Sequence, residues 1–123
     1  MNWLRCQWNQ EAATYLRREL APDENAIRAE VDAGIASLWF IEGHGWLITR
    51  VDVEADGTAE LVLVAIRGQD VGPVVERAKQ LAQESGIPSI RFHSSRRGAE
   101  KFVAPLGFEP VETVYRYEVP NGI

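Results

Sequence analysis

Residues 59–86 read AELVLVAIRGQDVGPVVERAKQLAQESG, and this stretch decides the fold. Residues 60–66 are almost wholly apolar and rich in Val, Leu and Ile. A strand apolar on both faces is one covered on both faces, as in α/β proteins. A helix follows. Val71, Val74, Val75, Ala78, Leu81 and Ala82 recur at i, i+3, i+4 and i+7 and make one apolar stripe. Glu76, Arg77, Lys79, Gln80, Gln83 and Glu84 take the other side. Gly86 suits the residue just past the helix end, and Pro88 bars continuation. Between strand and helix lies Arg67-Gly68-Gln69-Asp70-Val71-Gly72. A glycine-bearing turn that opens a helix aims free backbone N–H groups outward and can hold phosphate.

The chain has 123 residues, a length that fits one domain with a real core. Hydrophobic residues make up 46% and charged residues 25%, and the net charge is −5. An acidic chain has no bulk attraction for nucleic acid or an anionic membrane, so neither is expected as a partner. No apolar run reaches the roughly 18 residues that a membrane span needs. The opening MNWLRCQWNQ lacks the layout of a secretory leader. Cys6 is the single cysteine, so no internal disulfide forms. These features lead to the expectation of a reducing, cytoplasmic setting. Cys6 reads as a small apolar residue of a strand. His44 and His93 stand far apart without acidic residues at ligand spacing, so no metal site is expected.

Taken in order, residues 3–7 predict a first strand. Asn9 can cap a helix over residues 10–20, with Ala12, Ala13, Leu16 and Leu20 inward. Asp23 predicts the cap of a second helix, with Ile27, Val31 and Ile35 as its stripe and Gly34 near its end. Residues 37–42 form a strand, Gly43-His44-Gly45 an exposed turn, and residues 46–54 the returning strand. Asp56-Gly57 marks another tight turn into the central strand. Residues 89–93 follow the central helix as a strand, which suggests a parallel, right-handed crossover. Ala99, Phe102, Val103 and Leu106 give a last helix ended by Gly107, and residues 111–119 a final strand. The order is β-α-α-β-β-β-α-β-α-β, a mixed α/β (α+β) sheet.

That order resembles the GCN5-related N-acetyltransferase fold. Two local patterns carry the likeness. The segment Arg67-Gly68-Gln69-Asp70-Val71-Gly72 is similar to the family's acyl-CoA loop, Arg/Gln-x-x-Gly-x-Gly/Ala. The segment Phe102-Val103-Ala104-Pro105-Leu106-Gly107-Phe108 is similar to its Phe-Tyr-x-x-x-Gly-Phe. The likeness covers nearly the whole chain, residues 10–119. It implies an acyl-CoA N-acyltransferase-like sheet splayed between its two parallel strands. Val64, Ala65 and Ile66 would then lie beside the cofactor's pantetheine arm. The backbone N–H groups of Arg67, Gly68, Gln69, Val71 and Gly72 would meet the pyrophosphate of acetyl-CoA. Two residues depart from the pattern. Asp70 stands where the family has its first loop glycine, and it suits a helix N-cap. Val103 replaces a tyrosine that protonates the leaving thiolate, and valine has no proton to give.

The resemblance also implies a glutamate general base near the level of Glu60, which otherwise reads as a solvated strand end. Tyr115 or Tyr117 could replace the missing tyrosine acid, or could pack across strands. His93 points into the core or towards the cofactor groove. Arg91, Arg96 and Arg97 gather near the last helix, where they are solvated or bind an anion such as the cofactor's 3′-phosphate. Trp39 and Trp46 flank one hairpin and read as core. Two functions stay open. One is an acetyl-CoA-dependent N-acetyltransferase of unknown amine acceptor. The other is a protein that kept the fold without the reaction and needs no cofactor. It would serve as a binding or structural component with a protein partner, similar to short phage or prophage acetyltransferase-like proteins and sited in a virion. A short last strand could also complete its sheet against another subunit, giving a homo-oligomer or larger assembly.

Overall fold

The computed structural model describes residues 2–67, 71–93, 101 and 103–120. Five strands form one sheet in sequence order: β1 (Trp3–Cys6), β2 (Ala36–Ile41), β3 (Gly45–Val53), β4 (Ala59–Ile66) and β5 (Ser89–Phe92). The first three pairings are antiparallel, and β4 pairs β5 in parallel. The connection between those two is α4 (Val71–Glu84), the expected crossover. The predicted meander and mixed sheet are both present.

Both faces of the sheet are covered, as the apolar central strand requires. On one side α1 (Gln10–Tyr15) and α2 (Arg17–Leu20) bring Ala12, Leu16 and Leu20 onto Ala36, Leu38, Trp46, Ile48 and Ala65. Ile27 and Val31 of α3 (Glu24–Asp32) pack against the same cluster. On the other side Val74, Val75 and Ala78 of α4 meet Ile41, Leu47 and Leu63. Trp46 is buried, and it packs tilted on its cross-strand neighbour Phe40 with ring centroids 5.0 Å apart. Trp39 is half-buried, and its indole N–H donates to the Thr49 hydroxyl at 2.9 Å.

Several local signals hold. The Asn9 side chain accepts from the Ala12 N–H at 2.9 Å and caps α1. Gly86, at φ +70°, ends α4, and the Ile87 N–H reaches back to the Ala82 carbonyl. Gly34, at φ +77°, ends α3 in the same manner, with Ile35 N–H on the Glu30 carbonyl.

Four expectations are corrected. The helix over residues 10–20 breaks at Leu16, where φ −95° and ψ 14° leave the helical range. The break keeps Leu16 and Leu20 fully buried and frees the Tyr15 carbonyl, which the Arg67 guanidinium takes at 3.0 Å. Asp23 precedes α3 but makes no side-chain cap. Ile35 lies beyond the Gly34 turn and is 60% exposed, so it is no part of the α3 stripe. Finally, residues 111–119 form no strand and are exposed throughout. An isolated strand gains little without a neighbour to pair with. Ahead of them, Lys101 and Val103 are helical and a 3-10 turn, Ala104–Leu106, closes on Gly107 at φ +90°.

Candidate active site at the fork of β4 and β5

The pairing of β4 with β5 runs from Glu60↔Ser89 to Leu63↔Phe92 and stops. Beyond it β4 continues for Val64, Ala65 and Ile66, which neighbour only β3. Among the described residues, nothing pairs with the β5-side edge of this segment. Three residues of strand leave an open backbone edge about 10 Å long.

A bulge sets this fork. Ile48 lies opposite Ala65, while Thr49 lies opposite Leu63, so Val64 is the extra residue. A bulge bends its strand and increases the local twist. It also resets the alternation. Val64 and Ala65 both pack on the α1–α3 side, whereas Leu61, Leu63 and Ile66 pack on the α4 side. The far lip of the fork is aromatic: Phe92 meets Phe108 edge to face, centroids 5.2 Å apart. A Cβ built on Gly72, in the first turn of α4, would stand 3.9 Å from a Leu106 methyl. Lys79 of α4 holds this lip by donating to the Leu106 carbonyl, and its ammonium lies over the Phe108 ring at 6.0 Å.

The root of the loop after β4 is tied to α1. The Tyr15 hydroxyl lies 3.0 Å from the His44 carbonyl and 3.1 Å from that of Arg67, so its single proton is shared between two acceptors. The Arg67 guanidinium lies over the Tyr15 ring at 5.8 Å, with Glu19 at 3.9 Å. Gly45 makes room: a Cβ there would meet the Tyr15 ring at 2.5 Å, and its φ of +105° already favours glycine. His44 is half-buried, not the idle exposed residue expected of the turn, and its Nδ1 is buried without a partner among the described residues.

Glu60 sits at the opposite end of β4, about 20 Å of strand from Ile66. Its carboxylate accepts from Arg91 at 2.8 Å and from the Ser89 hydroxyl at 2.8 Å. Arg91 also bonds Asp52 at 2.9 Å; Asp52 bonds Arg50 at 2.6 Å; Arg50 bonds Glu30 at 3.0 Å. This half-buried chain crosses β3, β4, β5 and α3. The hydrogen bond from Arg50 holds the Asp52 carboxyl below the usual carboxylate range, against the opposing effect of burial. The same bond, with Glu30, raises Arg50 above its ordinary value. Arg91 is therefore engaged by two carboxylates rather than open to an anion.

The structure thus brings Val64, Ala65, Ile66, Arg67, Val71 and Gly72 to one place. It does not bring Glu60 there. Tyr115 is 89% exposed in the segment after the last turn. Gly68, Gln69, Asp70, Arg96, Arg97, Ala99 and Phe102 lie outside the described residues. His93 is exposed at the end of β5, 3.9 Å from Glu112. Among the described residues no group of acidic, histidine or cysteine side chains could hold a metal. No described helix is long and apolar enough to cross a membrane. Two open concavities, of about 280 and 460 Å³, are lined by Trp3, Trp39 and Leu81 and by Cys6, Trp8 and Arg28 respectively, with no residue of the fork in either. Sequence reasoning missed Tyr15, Glu19 and His44. A histidine between two glycines was the one local sign that something packs closely there.

No protein-family model matches the sequence, and no curated protein sequence does. Solved structures do match. A ribosomal-protein-alanine N-acetyltransferase from Brucella melitensis biovar Abortus 2308 superposes with a TM-score of 0.67 at 11% identity, over 97% of this chain and 100% of that one. The aminoglycoside N-acetyltransferase AAC(6')-Iy, solved with CoA, gives 0.62 at 17% identity over 96% and 98%. The chain has the GCN5-related N-acetyltransferase fold. Glucosamine-6-phosphate N-acetyltransferase from Arabidopsis thaliana shares this acyltransferase fold too, at 0.60 and 10% identity over 98% of this chain and 100% of that one. The GCN5-related fold is thus matched end to end, at identities that speak for fold alone.

Proposed function

We propose that this chain is an acyl-CoA-dependent N-acyltransferase acting on an amine. The observation that carries the reading is the open edge of Val64–Ile66 beyond Leu63↔Phe92, leading directly to the start of α4. Unpaired strand N–H and C=O groups suit the amide-bearing arm of a pantetheine, and the first turn of a helix suits its phosphates. The residues present fit such a group. Val64, Ala65 and Ile66 would bind the arm through backbone. The N–H groups of Val71 and Gly72 would face the pyrophosphate, while Pro73 has none to offer. The cofactor would supply an acyl group activated as a thioester, whose thiol can leave as its anion.

What remains is removal of a proton from the amine. Glu60 is engaged with Arg91 and Ser89 at the far end of β4, so in this reading water takes that proton. Tyr115 is exposed, and Val103 has no proton to donate, which fits a thiolate that leaves unprotonated.

Calorimetric titration with acetyl-CoA at moderate salt tests this. The expected dissociation constant is micromolar, about −8 kcal/mol. Asp70→Gly removes a carboxylate from the loop and should tighten binding further. A folded protein that gives no heat at high ligand concentration would retire the enzyme reading and leave a binding or assembly component.

A further inference from the structure

Residues 109–120 are exposed at every position and pair with no strand among those described. Their sequence nevertheless alternates as a strand does. Val111, Thr113, Tyr115, Tyr117 and Val119 share one parity; Glu112, Val114, Arg116 and Glu118 share the other. Val111 is 73% exposed, Tyr115 89%, Tyr117 81% and Val119 59%. Arg116 and Glu118 lie 3.9 Å apart, both well exposed. Five β-branched or aromatic side chains in alternation on an uncovered segment are a strand pattern with its apolar face in water.

The segment is complementary to itself in charge. An antiparallel pair of identical strands about a two-fold axis matches residue i with a partner mirrored across the central residue. Centred on Val114, Glu112 faces the partner's Arg116 and Arg116 the partner's Glu112. On the opposite face, Val111 meets the partner's Tyr117 and Thr113 the partner's Tyr115. Every one of these pairs is of a favourable kind, opposite charges or aromatic on β-branched. Neighbouring registers are poorer. Centred on Thr113, neither Glu112 nor Arg116 meets an opposite charge. Centred on Tyr115, Glu112 faces the partner's Glu118. Centred on Arg116, two guanidinium groups meet. Centred on Tyr117, Arg116 faces the partner's Glu118, but the ladder soon runs into Pro120, which has no N–H to give.

We infer that two copies of this chain associate through an antiparallel ladder of residues 111–117, with Val114 on the two-fold axis. This is independent of the acyltransferase reading. It places Tyr115 and Tyr117 in an interface between copies.

Sedimentation velocity over a concentration series tests it on the full chain. The wild type should dimerise. Glu112→Arg sets arginine against arginine twice and should raise the dimer dissociation constant about tenfold. The exchange Glu112→Arg with Arg116→Glu should restore it. Residues 112 and 116 are exposed, so none of these changes touches the core. In a Cys6→Ser background, Val114→Cys should give a disulfide-linked dimer on mild oxidation, since facing strand residues lie about 5 Å apart. Tyr117→Cys should not, because its copies would stand about 20 Å apart. A monomer at all concentrations, a dimer indifferent to Glu112→Arg, a failure of the exchange to restore it, or equal linking at both cysteines would each overturn the inference.

Discussion

The two halves of β4 are built on opposite plans. Residues 60–63 are paired on both sides, sit between two helical layers and are pinned at Glu60 by a chain of ion pairs. Residues 64–66 are paired on one side, bulged at Val64 and held at their end by one tyrosine and one arginine borrowed from or lent to α1. The charged side chains that look most like chemistry, Glu60 and Arg91, belong to the closed half. The half that offers a binding edge is made of Val, Ala and Ile. In the proposed function the backbone is the ligand-facing chemistry, and the ionic residues serve the frame behind it.

That contrast can be broken from the closed side first. Leu63 is 3% exposed and closes the last rung to Phe92. Leu63→Ala should cost about 3 kcal/mol in urea unfolding. A loss near zero would mean that the closed half is not packed as described. Asp52 comes next, because it joins Arg50 to Arg91. Asp52→Asn should cost about 2 kcal/mol, since two cations lose a charged acceptor.

The same residue gives a pH dependence. Asp52 binds its proton less readily in the folded chain than in the unfolded one. Its stabilising contribution is therefore full above about pH 4 and is lost as pH falls through the lowered folded value. Urea midpoints measured on acidification should fall less steeply in Asp52→Asn than in the wild type. Parallel slopes would assign the acid sensitivity to other carboxylates. The smallest effect is expected on the open side. Tyr15→Phe removes one shared hydroxyl proton and should cost about 1 kcal/mol. In titration it should weaken acetyl-CoA binding more than Asp52→Asn does, if the open half is the binding half.

The frame was legible wherever one side chain's neighbours are local. Periodicity located β4 and α4, a capping asparagine located α1, and glycines located three turn ends. The fork itself was reached only through a family likeness, because a bulge leaves no mark on the pattern AELVLVAI. Val64 and Ala65 read as ordinary alternation until β3 is laid beside them. The role of Glu60 was illegible for the same reason. Its partners Arg91 and Ser89 come from a strand that adjoins it only after the crossover has formed. Residues 111–119 misled in the other direction: their pattern is that of a strand, but a strand also needs a neighbour, and composition cannot supply one.

The tie made by the Tyr15 hydroxyl has a consequence in time. It joins carbonyls 29 and 52 residues away in sequence. The hairpin ladders β2–β3 and β3–β4 close over short loops and can form early, whereas a contact spanning that much chain forms late. What forms late on few contacts also opens most readily. Backbone amides near Arg67 should therefore exchange with solvent at a lower free energy than those of residues 61–63. The mouth of the fork would breathe while the rest of the strand stays shut, giving a ligand a way in that does not require the sheet to come apart.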